Sequence, residues 1–140
     1  MQKKGFSMAV NECPAQSGRN KRMIAGLCGF VAVALGAFGA HAWRTKLLAL
    51  STAEIWTTAS LYHLMHSAVL LCIALAWPQA RWSFGLILAG IALFSGSLYI
   101  YALTGLKPLT MAAPVGGTCL MAGWLVLAFA TCRGSVKSGE

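Results

Sequence analysis

The chain has 140 residues, 58% of them hydrophobic and only 10% charged, against roughly 25% charged in an average soluble domain. That composition excludes an ordinary water-soluble globule. The formal charge of +8 would suggest nucleic acid in a soluble chain, but it comes without a base-stacking aromatic groove or a nucleic-acid motif; the basic residues sit almost entirely outside the apolar runs, as topology determinants and lipid-headgroup contacts do.

Residues 1–22 combine Gly, Ser, Pro, Gln and Asn with several basic residues and no apolar periodicity, which predicts a disordered basic cytoplasmic tail. The first uncharged apolar run, 23–43, ends in 36-GAFGAHAW-43, where Ala40-His41-Ala42 has the small-x-small form of a signal-peptidase site. A run of 21 residues exceeds the roughly 7 to 15 of a signal-peptide core, so it reads as a retained helix. Met23 at its head is an alternative translation start. Ala32, Gly36 and Ala40 recur at four-residue spacing, with Gly29 and Gly39 close by. Small residues so placed let two backbones approach in lipid, and they predict a packing face against a neighbouring helix or a second copy.

Further along, Ser51-Thr-Ala-Glu54 has the form of a capping box and places the next helix start near Thr52. That accounts structurally for Glu54, an acidic residue beside the membrane. The second run is 56–77, ended by Pro78; the third is 82–104 and the fourth 111–132. At about 1.5 Å per residue, runs of 21 to 23 residues span a hydrocarbon core of about 30 Å. In the fourth run Pro114 suits a first turn, and Gly116 and Gly117 predict close helix packing. Residues 134–140 form a short cytoplasmic tail.

The predicted fold is therefore an all-α membrane protein whose transmembrane domain, residues 23–133, holds four helices (23–43, 56–77, 82–104 and 111–132). The short connections make it an up-down-up-down bundle. Lys3, Lys4, Arg19, Lys21, Arg22, Arg81, Arg133 and Lys137 lie on one side, and Arg44, Lys46 and Lys107 on the other. The excess of positive charge places both termini in the cytoplasm. Trp43 and Trp56 then mark the outer interface, Trp77 and Trp82 the inner one.

Chemistry concentrates in 62-YHLMH-66. Tyr62 and His66 are four apart and His63 and His66 three apart, so the three side chains share a sector of the helix. Ser95 and Ser97 on the third span and Thr118 on the fourth fall at comparable depth, which predicts a polar cluster of Tyr62, His63, His66, Ser95, Ser97 and Thr118. Such a cluster is either an interhelical hydrogen-bond network or a ligand, metal or proton site. Haem held by two histidines needs imidazoles at matching depth on facing helices, and His41 lies near the surface. His63 and His66 as metal ligands would need a further donor, and none stands obviously opposite. Cys13, Cys28, Cys72, Cys119 and Cys132 show no C-x-x-C spacing, and four of them lie in apolar runs as small hydrophobes. No nucleophile and base pair, carboxylate pair or phosphate loop is legible, so no catalytic residue, metal or cofactor is expected.

The segments 35-LGAFGAHA-42, 62-YHLMH-66, 94-FSGSLY-99, 103-LTG-105 and 114-PVGG-117, with Gly123-Trp124, resemble in order and spacing the small four-helix inner membrane proteins of domain-of-unknown-function family 423. The resemblance covers about residues 23 to 133 and implies that the GAFGAHA segment is a retained transmembrane helix. His41, Tyr62, His66, Ser95, Ser97, Tyr99, Pro114, Gly116 and Gly117 match the family pattern. His63 stands where the family often has glutamine, and Ala113 where it often has threonine, so the resemblance favours Tyr62 and His66 over a His63/His66 pair. It implies no activity.

The expectation is an integral protein of the cytoplasmic membrane, an accessory or interaction protein without catalytic turnover. Its partners would be the lipid bilayer and a second copy or other membrane proteins, not nucleic acid. A small transporter or proton-linked permeation unit at His66 is the alternative, and a metal- or redox-cofactor-binding protein comes third. Reporter fusions at Lys107 should behave as exported and those at Glu140 as cytoplasmic; an exported C-terminus would contradict the charge-based orientation.

Overall fold

The computed structural model describes residues 14–106, 108 and 111–134. Lys3, Lys4, Cys13, Lys107 and the tail with Lys137 lie outside the described residues, as do the side chains of Cys132 and Arg133. Five helices follow one another: α1 Pro14–Ala40, α2 Arg44–Ala49, α3 Ala53–Ala76, α4 Arg81–Thr104 and α5 Ala112–Gly134. All but α2 are long and apolar enough to cross a membrane, and they fall on the four expected runs. The described residues are thus all-helical, with four antiparallel spans.

The differences are at the ends. Because α1 starts at Pro14, residues 14–22 of the expected disordered tail are helical. Proline suits a first helical turn, and the polar turns have partners: Arg22 Nε donates to the Gly18 carbonyl at 3.2 Å. Lys21 Nζ donates to the Pro78 carbonyl and lies 5.8 Å from the Phe84 ring centroid. Lack of apolar periodicity marked a segment leaving the membrane, not one leaving the helix. The connection between the first two spans also holds the short α2, which seats Leu47 against Trp56, Ala59, Tyr99 and Ala102.

The expected capping box does not form. Helix α3 starts at Ala53 with Thr52 as its N-cap and without a side-chain cap bond. Ser51 has φ 54°, outside the extended conformation a capping serine needs, because it reverses the chain after α2. The Thr52 hydroxyl instead donates to the Ala102 carbonyl of α4 at 2.8 Å. Glu54 is therefore not explained by capping.

Packing runs in sequence: α1 against α3, α3 against α4, and α4 against α5. No Cα of α1 comes within 8 Å of one in α4 or α5, nor any of α3 within that distance of α5. The closest approach is α4 on α5. A Cβ built on Gly116 would overlap the Phe94 backbone, one on Gly90 would meet Leu120 Cδ2 at 2.6 Å, and one on Gly123 would meet Ile87 Cγ1 at 2.6 Å. Ser83 Oγ donates to the Gly123 carbonyl in the same contact at 2.8 Å.

The glycines expected to pack separate into two groups. Gly39 lies directly under the Trp56 indole, whereas Gly29 and Gly117 make ordinary contacts with Ser67 and Phe94. Gly36 faces open space and is not a packing residue, because the small stripe wraps around α1 and only one edge of it meets α3. Substituting Gly39→Ala should cost about 1–3 kcal/mol by overpacking. Gly36→Ala should be neutral or stabilise by up to about 1 kcal/mol through reduced chain entropy. Thermal unfolding in detergent would compare them, and equal loss in both variants would refute this assignment.

Candidate functional site

Two apolar clusters fill the bundle. One, around Leu70, Ile73, Phe84, Ile87, Ile91 and Leu120, lies toward the Pro78 end; the other, around Leu47, Trp56, Ala59, Tyr99 and Ala102, lies toward the α2 end. The buried polar side chains His63, His66, Ser67, Ser95 and Ser97 fall between them along α3 and α4. The sequence predicts one cluster here, whereas the structure forms two separate groups and leaves one residue outside.

The first group is built on His66, which is 9% exposed. Its Nδ1 lies 2.8 Å from the Tyr62 carbonyl, which can only accept, so Nδ1 carries the hydrogen. The Trp124 indole Nε1–H, which can only donate, reaches His66 Nε2 at 3.3 Å. The two partners together select the neutral Nδ1–H tautomer and leave neither ring nitrogen free. Tyr62 is 41% exposed; its ring stacks on His66 at 5.8 Å and lies 4.7 Å from Phe94.

The second group is built on His63, 7% exposed. Three residues correspond to about 300° of helix, enough to aim His63 at α1 and α4 while His66 faces α5. His63 Nε2 is 3.7 Å from Cys28 Sγ of α1, and its ring centroid is 6.1 Å from that of Tyr99. Ser67 Oγ donates to the His63 carbonyl at 2.7 Å, and Tyr99 Oη donates to Ser60 Oγ at 3.3 Å. His63 Nδ1 and Ser95 Oγ are buried without a hydrogen-bond partner. Ser97 Oγ donates to the Phe94 carbonyl of its own helix at 3.0 Å.

Thr118 does not join either group. It is exposed, and its hydroxyl turns back to the Val115 carbonyl at 2.7 Å, the usual resolution for a threonine on a lipid-facing side. Among the described residues no three His, Cys, Asp or Glu side chains converge. Cys28 and Trp124 complete the groups: in sequence Cys28 is indistinguishable from a small core hydrophobe, and no spacing pairs Trp124 with His66. For Gly123 a signal was present, since it stands seven residues after Gly116 and so on the same helix face.

Beside His63 lies an open, apolar groove of about 450 Å³ between α1 and α4, with Ile24, Cys28, His63, Ile91, Gly96 and Tyr99 in its wall. It exists because α1 and α4 both pack on α3 and not on each other.

Four apolar spans around a thin layer of buried polar side chains define a small multi-pass integral membrane protein. The family model described as "Protein of unknown function (DUF423)" matches residues 35–117. A UPF0382 membrane protein of Staphylococcus aureus is 37% identical over 115 residues, covering 79% of this chain and 93% of its own. A UPF0382 membrane protein of Staphylococcus epidermidis is 38% identical, with 79% and 93% covered. The UPF0382 inner membrane protein YgdD of Escherichia coli K12 is 35% identical over 116 residues, covering 79% and 88%. No solved structure matches. The chain belongs to the DUF423 family and is a multi-pass protein of the inner membrane.

A double-mutant cycle on His66 and Trp124, with His66→Leu and Trp124→Phe, should give a coupling of about 0.6 kcal/mol, typical of interhelical bonds in lipid. Additive losses would show that the two side chains do not share a hydrogen bond.

Proposed function

We propose that this protein is a non-catalytic accessory of the inner membrane, with both termini and the turn at Pro78 in the cytoplasm, acting through lateral helix contacts with a second copy or another membrane protein. The observation that carries the reading is the closure of His66. The histidine best placed to relay a proton has one nitrogen committed to the Tyr62 carbonyl and the other to the Trp124 indole. That arrangement favours a tie between helices over a relay. The shared position of Lys21 and Pro78 supports a common side for the N-terminal basic segment and the α3–α4 turn. The open backbone at Gly36 supports lateral contact on α1, since small residues are what close helix pairs in lipid use.

The test is His66→Gln, which keeps one donor and one acceptor but cannot cycle a proton near neutral pH. The variant is expected to fold, to lose no more than about 0.6 kcal/mol and to complement a deletion strain like wild type, with no proton flux above empty proteoliposomes for either protein. Loss of function in the folded variant, or flux in wild type that the variant lacks, would replace this reading with a proton-linked one.

A further inference from the structure

We propose that the groove between α1 and α4 holds one acyl chain of an anionic phospholipid, whose phosphate lies against Lys21 and Arg81 at the Pro78 end. This rests on neither the accessory role nor the assignment of that end to the cytoplasm. The groove is shaped for hydrocarbon. Its α1 wall runs from Ile24 through Cys28 and Val31 to Leu35, and its α4 wall from Leu88 through Ala92 to Tyr99, each along one helix face. Polar groups in the wall are engaged elsewhere: Cys28 Sγ meets His63 Nε2, and the Tyr99 hydroxyl donates to Ser60. From Ile24 to Leu35 the helix rises about 16 Å, close to the half of an about 30 Å hydrocarbon core that the chains of one leaflet fill.

What stands at the Pro78 end of the same two faces decides the head group. Lys21 comes three residues before Ile24 and seven before Cys28, and Arg81 seven before Leu88, so each continues its wall of the groove. Lys21 Nζ donates to the Pro78 carbonyl and lies 5.8 Å from the Phe84 ring centroid. It therefore reaches across to the first turn of α4, where Arg81 stands. An ammonium has three donors, and that carbonyl takes one. Arg81 is exposed, with its guanidinium 5.9 Å from the Trp82 ring centroid. Trp77 and Trp82 are exposed as well and mark this level as the membrane interface.

The two cations have no acidic partner among the described residues: Glu54, the one acid there, lies in the first turn of α3 at the opposite end. A phosphodiester supplies the missing charge. Between Arg81 and Leu88 the same face carries Gly85, where a Cβ would meet nothing within 4 Å, so the way from the head group to the groove is open. A zwitterionic head would bring a second cation beside Lys21 and Arg81, which repel it. A free phosphate would leave the apolar groove without an occupant. Cations at the end of a groove as long as one leaflet match both parts of a single anionic lipid.

The test uses the full chain in nanodiscs of zwitterionic lipid carrying a trace of phosphatidylglycerol or phosphatidylcholine, each with the same diazirine-bearing acyl chain. Labelling of Cys28, Ile91 and Tyr99 should favour phosphatidylglycerol by up to about 25-fold, about fivefold for each cation beside the head group. Arg81→Gln and Lys21→Gln should each lower that ratio about fivefold, and Arg44→Gln at the α2 end should leave it unchanged. Ala92→Phe, at an exposed position of the α4 wall, should obstruct the groove and reduce labelling by both lipids. Equal labelling by the two lipids in wild type, or none by either, would overturn the proposal. So would a ratio that Arg81→Gln does not move, or labelling that Ala92→Phe does not reduce. Should Lys21→Gln not fold, the exposed Arg81 decides alone. An excess of water-soluble glycerol phosphate separates the two sources of phosphate: an unchanged ratio supports a lipid, and a preference lost to this competitor overturns it.

Discussion

Hydrocarbon offers apolar helices no reason to leave it for one another, so a membrane bundle must be held by contacts that lipid cannot imitate. Here those contacts are close backbone approaches at glycine and side-chain donors that reach main-chain carbonyls of the next helix. Each neighbouring pair has at least one. Trp56 Nε1 donates to the Leu35 carbonyl of α1 at 3.1 Å over the space that Gly39 leaves. Thr52 reaches Ala102 between α3 and α4, and Ser83 reaches Gly123 between α4 and α5. The Leu35 and Gly123 carbonyls lie inside their helices and offer the neighbour their second lone pair, whereas Ala102 lies in the last turn of α4, where the Leu106 N–H bonds the Thr104 hydroxyl instead. Without these approaches the side chains would have only dispersion to distinguish a helix from a lipid tail.

The polar layer makes sense against that background. Polar groups at membrane depth are expensive unless matched, and in this protein most are matched within one turn or across one interface. His66, Ser67, Ser97 and Thr118 all use a backbone carbonyl of their own helix. The exceptions are His63 Nδ1 and Ser95 Oγ. His63 lines the groove between α1 and α4, whereas Ser95 is fully buried beside it.

Much of this was legible in the sequence. Charge-free runs of the right length gave the number and position of the spans, because length and hydropathy are enough when the solvent is a slab. The helix end before Pro78 also read correctly. What failed were statements about partners. Ser51 to Glu54 looked like a capping box, yet the preceding α2 forces Ser51 to positive φ, and a four-residue window contains no sign of that. Gly36 and Gly39 look alike in a small-residue stripe, but only Gly39 lies under an indole. Cys28 and His63 are 35 positions apart in sequence, and a one-dimensional pattern cannot say that two apolar helices turn those particular faces together. Periodicity reveals that a face exists; the angular position of the neighbour decides which residues meet.

The order in which the spans touch has a bearing on how the protein is made. Because each span leans on the one before it and α5 has no Cα within 8 Å of one in α1 or α3, each close backbone interface can form as soon as its second member leaves the translocation channel. The backbone approaches form between successive spans, and short sequence separation is the condition for rapid association; the His66 to Trp124 bond is the contact of α3 that waits for α5. The hairpin of α4 and α5, with close contacts at Gly90, Gly116 and Gly123, is finished last and closes the end of the row. The backbone interfaces can therefore assemble as a zipper running in the direction of translation, with the His66 to Trp124 bond made at its last step.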